Sequence, residues 1–310
     1  MDVTIVVCTR NRGIQLRTCL DSITQAIENQ NKKAIEAIIV DNASADDTRR
    51  VAQEWALASR APARVIVENR LGLAVARNAA IRIAQGNVIV FTDDDCRLSD
   101  DYFTKMIDHY ARDSGPVIRG GRVDLGNPKD IDFTTKRDPQ SSRLSDIAQV
   151  AGFILGCNMA LPREAVVRLG RFDERFGAGA LFRSAEETDF LCRAYLAGIP
   201  IEYVPDMIVL HDHGRRSINE VQKLYFGYCI GNGAIYGKHF CANKRLLRHL
   251  YWDSRNAVFE LFGGRQFERN LGLTYRRTLI GNMLGLFLFC LVRLGSLTHL
   301  SAKQNPEQRA

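Results

Sequence analysis

A chain of 310 residues with 46% hydrophobic and 25% charged residues can bury a substantial core, which excludes a disordered or fibrous protein. Its net charge of +7 is uneven: from Gly214 to Arg277 twelve Lys and Arg stand against four Asp and Glu, while the first two-thirds is close to neutral. Eight scattered cysteines without a C-x-x-C pair argue against a zinc ribbon or a disulfide scaffold and fit a reducing cytosol.

No signal peptide is read at the start, because Met1-Asp2 leads directly into a strand and Arg10 interrupts the apolar run. Thr4 to Cys8 is β-rich and ends in the polar turn Thr9-Arg10-Asn11-Arg12. Ile14, Leu16, Cys19, Leu20, Ile23 and Ile27 then recur at helical spacing. Ala37 to Val40 predicts a second strand that ends in Asp41-Asn42-Ala43-Ser44, with Ser44 capping a helix from Ala45 into Trp55. Arg64 to Val67 is a third strand, Leu71 to Ala84 a third helix, and Val88 to Phe91 a fourth, fully apolar strand. Alternating strands and helices imply a parallel sheet with right-handed crossovers.

The fourth strand stops at Asp93, Asp94 and Asp95. Three adjacent carboxylates repel one another and resist desolvation, so a cation is expected to compensate them. Mg²⁺ and Mn²⁺ take such oxygen ligands, and this edge of an open α/β sheet is where ligands bind. An acidic turn before a helix capped by Ser99 or Asp100 accounts for the same residues without a metal. No G-x-G-x-x-G follows the first strand, and Asn232 and His239 break the P-loop pattern around Gly237-Lys238. Hydride transfer and P-loop phosphoryl transfer therefore lose ground. In the pocket that remains, Asp41 can accept from a base N–H and Arg77 can donate. Asp41-Asn42 also read as turn residues, and Arg77 and Asn78 as a solvated helix face.

Beyond Asp108 the rhythm changes. Val117 to Val123 reads as a strand, Asn127 to Leu144 as a polar mobile loop, and Gly152 to Leu161 as a mixed apolar stretch closed by Pro162. A short helix from Glu164 to Leu169 precedes Ser184-Ala185-Glu186-Glu187-Thr188-Asp189, which opens another helix with Ser184 as its N-cap. Asp189 and Arg193 form an i,i+4 pair that needs no function, whereas Glu187 at a helix start suits a general base. Ile201 to Leu210 is extended and lands on His211-Asp212-His213, two histidines placed as metal-ligand candidates. In the tail, Ile218 to Tyr236 reads as a helix. Leu279 to Leu294 is the most hydrophobic segment, short for a span of about 20 residues, and fits an interfacial element or a buried core helix.

The ordered set TIVVCTRNR, AIIVDNASADDT, ENRLGLAVARNAAI, VIVFTDDDC, GCNMALPRE, GRFDERFG, AEETDFLCRAYLAG and HDHGR resembles the inverting family 2 glycosyltransferases of GT-A type, over roughly Val3 to Arg215. The resemblance implies an α/β fold: a Rossmann-like nucleotide-binding sheet in residues 1–115 and a mixed acceptor-side sheet in 116–215. A basic helical, partly apolar extension follows in 216–310, with a membrane-associating segment in 278–296. It implies nucleotide-sugar contacts from Thr9, Arg10, Asn11, Arg12, Asp41, Asn42, Leu73, Arg77, Asn78, Asp93 and Asp94. Metal ligands, for Mn²⁺ or Mg²⁺, would be Asp93, Asp95, His211 and, behind it, His213. Glu187 would be the base, at a place where the family usually has aspartate, with Glu186 and Asp189 as substitutes.

The implied reaction moves a sugar from a nucleoside diphosphate sugar to a glycan or lipid-linked acceptor. The expected setting is bacterial polysaccharide or glycolipid synthesis, in the cytoplasm at the inner face of the membrane. A sugar-1-phosphate nucleotidyltransferase would need a glycine-rich triphosphate loop that is not found. A basic nucleic-acid-binding protein would need exposed aromatics interleaved with its cations, and here the basic tail adjoins an apolar helix, so membrane contact is expected and nucleic acid is not.

Overall fold

The computed structural model describes residues 2–30 and 33–303, with side chains to residue 295. The chain forms two compact units. One holds the chain up to Leu181 together with Glu186–Val221; the other holds Phe182–Ala185 and the chain from Gln222 onward.

The first unit is built on a nine-stranded sheet. Strands β1 (Val3–Thr9), β2 (Ile35–Asp41), β3 (Ala63–Val67) and β4 (Val88–Asp93) are parallel in the order β3-β2-β1-β4. Every residue of β2 is buried, as a strand covered on both faces requires. Helices α1 (Gly13–Glu28), α2 (Thr48–Ala58) and α3 (Leu73–Ile83) connect these strands. The core under α1 is made by Leu16, Leu20 and Ile23 against Ile5, Val7, Ile39 and Val90.

Past β4 the sheet becomes mixed. After β5 (Cys96–Leu98), α4 (Tyr102–Tyr110), β6 (Ile118–Leu125), β7 (Ser142–Arg143) and β8 (Met159–Pro162), the chain runs through α5 (Arg163–Leu169) and α6 (Glu186–Leu196) into β9 (Ile201–His211). The spatial order continues β4-β8-β6-β9-β5, with β7 on β9; β8 is antiparallel to β4 and β6, and β9 is parallel to β6. The expected parallel half followed by a mixed half is what the chain forms.

Two expected helix starts are corrected. Helix α2 starts at Thr48 rather than Ala45, because the Ser44 hydroxyl accepts from the Asn11 N–H while Asp46 takes the Thr48 N–H. Helix α4 starts past Ser99 and Asp100, preceded by Asp101 without a side-chain cap. The Ser184 hydroxyl, expected as a cap, donates to the Gly227 carbonyl at 3.1 Å. The segment 127–144 is irregular and tied to its neighbours at several points: Lys136 and Val123 exchange two backbone hydrogen bonds, Arg137 pairs with Asp124 and Asp132, and β7 joins β9.

The second unit is helical, with most of α7 (Ile218–His239), α8 (Arg248–Leu261) and α9 (Tyr275–Lys303). Helix α9 begins earlier than the apolar run in the sequence and holds a 21-residue stretch, Tyr275–Gly295, of mean hydropathy 1.8, long and apolar enough to cross a membrane.

Candidate active site

The parallel register sets the site. Thr9 pairs with Asp41 across β1 and β2, and Cys8 with Asp93 across β1 and β4, so Thr9, Asp41 and Asp93 end three neighbouring strands at one edge of the sheet. Among the described residues, four buried side-chain polar atoms lack a partner, and two of them, Thr9 Oγ1 and Thr92 Oγ1, lie at this edge. Thr9 still lies near enough to favour charge on Asp94.

Burial pushes the Asp94 carboxyl up to about 6 against the pull of Arg12, and the Asp95 charge beside it adds to the rise. Arg12 Nη1 donates to Asp94 at 3.0 Å and to Asp95 at 2.5 Å, supplying the positive charge that three carboxylates demand. Asp95 Oδ1 lies 3.3 Å from His211 Nε2. Burial opposes the charge on Asp95, but His211 and Arg12 outweigh it and hold the carboxyl well below the usual range. Burial likewise opposes charge on His211, and the Asp95 contact overcomes it, raising the imidazole to about 9. Asp93 is the most exposed of the three side chains, at 32%.

The second acidic cluster opens α6. Two non-glycine residues, Arg183 and Ala185, sit at φ 65° and 70° just before it, a strained approach of the kind that collects at functional sites. Glu186 is paired with Arg77 Nη1 at 2.9 Å, and Asp189 with Arg193 Nε at 3.0 Å. Among the described residues Glu187 has no cation in salt-bridge contact; it accepts a long hydrogen bond, 3.4 Å, from the Thr188 hydroxyl and lies beside Glu186. Burial raises the Glu187 carboxyl to about 8, the Glu186 charge adds to this, and Arg77 moderates it. Of the three acids at the start of α6, Glu187 is the one left available to take a proton.

Arg77 holds the two clusters together. It is 2% exposed, and besides Glu186 it reaches Asp93 Oδ1 at 3.4 Å and the Gly156 carbonyl at 3.1 Å, with its guanidinium over the rings of Phe91 and Phe172.

Comparison with known proteins meets this geometry directly. A profile described as glycosyl transferase family 2 matches residues 4–170. The chain belongs to this family. It is 28% identical over 206 residues to EpsH of Bacillus subtilis, a protein named as a glycosyltransferase, covering 65% of this chain and 58% of EpsH. The mannosyltransferase PcManGT of Pyrobaculum calidifontis, in complex with GDP-Man and Mn²⁺, superposes with a TM-score of 0.54 at 19% identity, covering 97% of this chain and 79% of that one. TarS 1-349 of S. aureus in complex with UDP-GlcNAc gives a TM-score of 0.53 at 15% identity, covering 95% and 92%. The sheet is thus the GT-A fold, and the chain carries a glycosyltransferase family 2 domain.

Within this domain several residues expected at the nucleotide work inside the protein. Asn42 donates to the Glu68 and Arg70 carbonyls and accepts from Gly72 N–H, which shapes the loop into α3. Arg77 is the strut described above. Asn78 donates to the Phe172 carbonyl and accepts from the Phe172 N–H, both at 2.9 Å. Asp41 is fully buried and takes Ser44 N–H and Arg49 Nε. Arg10 and Asn11 are exposed, and Leu73 is half-buried at the start of α3.

Both ring nitrogens of His213 are engaged, one at 3.0 Å from the Ile131 carbonyl and the other by the Arg215 N–H, so it is not placed as a ligand. Cys96 was missed. Its sulfur joins Asp95 and His211 in a cluster whose ligand atoms lie within 4.8 Å, because β5 pairs Cys96 directly opposite His211. No pattern in the sequence announces that pairing. Replacing Asn78 by Ala leaves both Phe172 backbone groups unpaired in a buried place. The expected loss is about 2 kcal/mol, read as a lower urea midpoint with an unchanged slope.

Proposed function

We propose that this protein is an inverting transferase that moves a sugar from an α-linked nucleoside diphosphate sugar to a hydroxyl of a glycan or lipid-linked acceptor. The observation that carries the reading is the division of labour around Arg77. One buried cation ties the strand-end aspartates to α6, and beside it Glu187 stands without a cation in contact and with its carboxyl raised to about 8. A carboxylate so placed removes the acceptor hydroxyl proton as the oxygen forms its bond to the anomeric carbon. The bond from that carbon to the diphosphate oxygen breaks, and the nucleoside diphosphate leaves. Attack on the face opposite the leaving group gives a β-linked product.

The donor set suits a divalent ion: Asp95 and His211 present an oxygen and a nitrogen 3.3 Å apart, and Asp93, partly exposed at the same strand end, would be the third ligand. Mn²⁺ or Mg²⁺ held there would supply positive charge beside the departing diphosphate. The structures of PcManGT with GDP-Man and Mn²⁺ and of TarS with UDP-GlcNAc support a nucleotide-sugar donor. The proposed nucleotide pocket is lined by Thr9, Arg12, Leu73, Asp93 and Asp94, with Asp41, Asn42, Arg77 and Asn78 shaping it from behind. The proposed place is the cytoplasmic face of the membrane, in polysaccharide or glycolipid synthesis.

Calorimetric titration with UDP-, GDP- and dTDP-sugars, with and without Mn²⁺ or Mg²⁺, tests this. At least one donor should bind with metal, and Asp95→Ala should weaken that binding tenfold or more. Failure of every donor to bind with either metal would overturn the reading.

A further inference from the structure

The second unit carries its polarity reversed. On α8 the inward face holds polar residues beside the buried Ala257: Asp253 accepts from Asn282 Nδ2 at 2.8 Å, and Glu260, 8% exposed, accepts the N–H groups of Tyr275 and Arg276 and pairs with the Arg276 side chain. The apolar residues turned outward, among Arg248, Ser254 and Arg255, are Tyr251, Trp252, Val258, Phe259 and Leu261, with Phe262 just past the helix end, each between 46% and 86% exposed. A helix packed for water has these two faces the other way round.

Helix α9 repeats the pattern. Thr278 and Asn282 are buried, with the Thr278 hydroxyl 2.9 Å from that of Tyr225 on α7. Gly281 and Gly285 lie against Cys229 and Ile230, where a Cβ would collide. Ile280, Met283, Phe287 and Leu291 face outward. Small and polar residues between helices with large apolar ones outside are the packing found where the surroundings are lipid.

The charges at the margin say which lipid. Arg255 lies over the rings of Trp252 and Phe259, at 5.4 and 4.7 Å, an aromatic and cationic pairing suited to the boundary between water and hydrocarbon. At the foot of α9 a hollow of about 650 Å³ is lined by Arg265, Arg269 and Arg276 together with Glu260, Glu268 and neighbouring backbone. Glu260 is paired with Arg276, so the hollow offers Arg265 and Arg269 against Glu268, a modest positive excess.

We propose that the outward face of α8 and α9 is seated in an anionic lipid bilayer. Helix α8 lies in the plane of the interface, and the arginines of the hollow meet lipid phosphates. The 14 residues of α8 span roughly 21 Å, short of the roughly 30 Å hydrocarbon core, which sets it in the plane and not across. The inference deepens the membrane-side setting proposed above, and its test needs no donor, so it stands or falls apart from the transferase reading.

The chain has two tryptophans, and Trp55→Phe leaves Trp252 as the sole reporter. Full-length W55F protein is mixed with phosphatidylcholine vesicles containing or lacking phosphatidylglycerol, some with brominated acyl chains. Trp252 emission should shift to the blue and be quenched by the brominated lipid, and binding should strengthen with phosphatidylglycerol and weaken with salt. Arg265→Gln and Arg269→Gln should each lower affinity for the anionic vesicles about fivefold. Phe259→Glu with Phe262→Glu, both at exposed positions, should remove quenching while leaving the far-ultraviolet circular dichroism intact. Unchanged Trp252 emission with either vesicle would overturn the proposal. So would a stable dimer that is dispersed by the Phe259→Glu and Phe262→Glu pair and binds no vesicle, since a second copy would then be what covers this face.

Discussion

Glu187→Gln should lower kcat by about a thousandfold while leaving donor affinity nearly unchanged, because general-base assistance contributes roughly 10²- to 10⁴-fold and the amide keeps the size of the side chain. Glu186 and Asp189 cannot substitute, since each already holds an arginine. A base must be deprotonated to act, and burial raises the Glu187 carboxyl to about 8. The wild-type kcat/KM should therefore climb about tenfold per pH unit on the acid side and level off above pH 8. Glu186→Gln removes a neighbouring negative charge that contributes to the rise, so the limb should move to lower pH. Glu187→Asp tests reach: a side chain one methylene shorter should keep the shape of the pH profile and lose rate. Should Glu187→Gln retain most of its kcat, the base lies elsewhere and the reading of α6 fails. Pre-steady-state transfer together with donor calorimetry separates these outcomes from a simple loss of folding.

The strand ends were legible because the apolar runs break at polar or acidic residues, and a parallel sheet brings those breaks to one edge. Thr9, Asp41 and Asp93 could be found in this way. Contacts between distant parts of the chain could not. Arg77 and Glu186 are 109 residues apart, and nothing in either neighbourhood marks them as partners. Asn42 and Asn78 look like ligand contacts by composition, yet both spend their amides on backbone groups of adjacent loops. Cys96 became visible only once β5 was seen paired with β9. Helix α8 shows a different limit. An amphipathic pattern tells that a helix has two faces, and it does not tell which of them the rest of the protein will take.

Arg77→Met should be the most damaging substitution for stability. Methionine fills much of the same volume beside Phe91 and Phe172, so the cost arises chiefly from charge. Glu186, 6% exposed at its side chain, loses its cation, whereas Asp93 at 32% can turn to water. Breaking a buried pair from one side costs about 3–5 kcal/mol, which for a unit of this size lowers Tm on the order of 10 °C. The double variant Arg77→Met with Glu186→Gln removes both charges, and an uncharged pair in the same place should recover more than half of the loss. Arg77 also lowers the Glu187 carboxyl, so in Arg77→Met the acid limb of kcat/KM should move above pH 8. The two readouts separate two roles. Melting reports the strut between β4 and α6, and the pH profile reports the field that Arg77 sets at the base. Because losing Glu186 lowers the limb and losing Arg77 raises it, the limb is read in Arg77→Met alone; a raised limb there, with recovery of Tm in the double variant, would show that one guanidinium serves both.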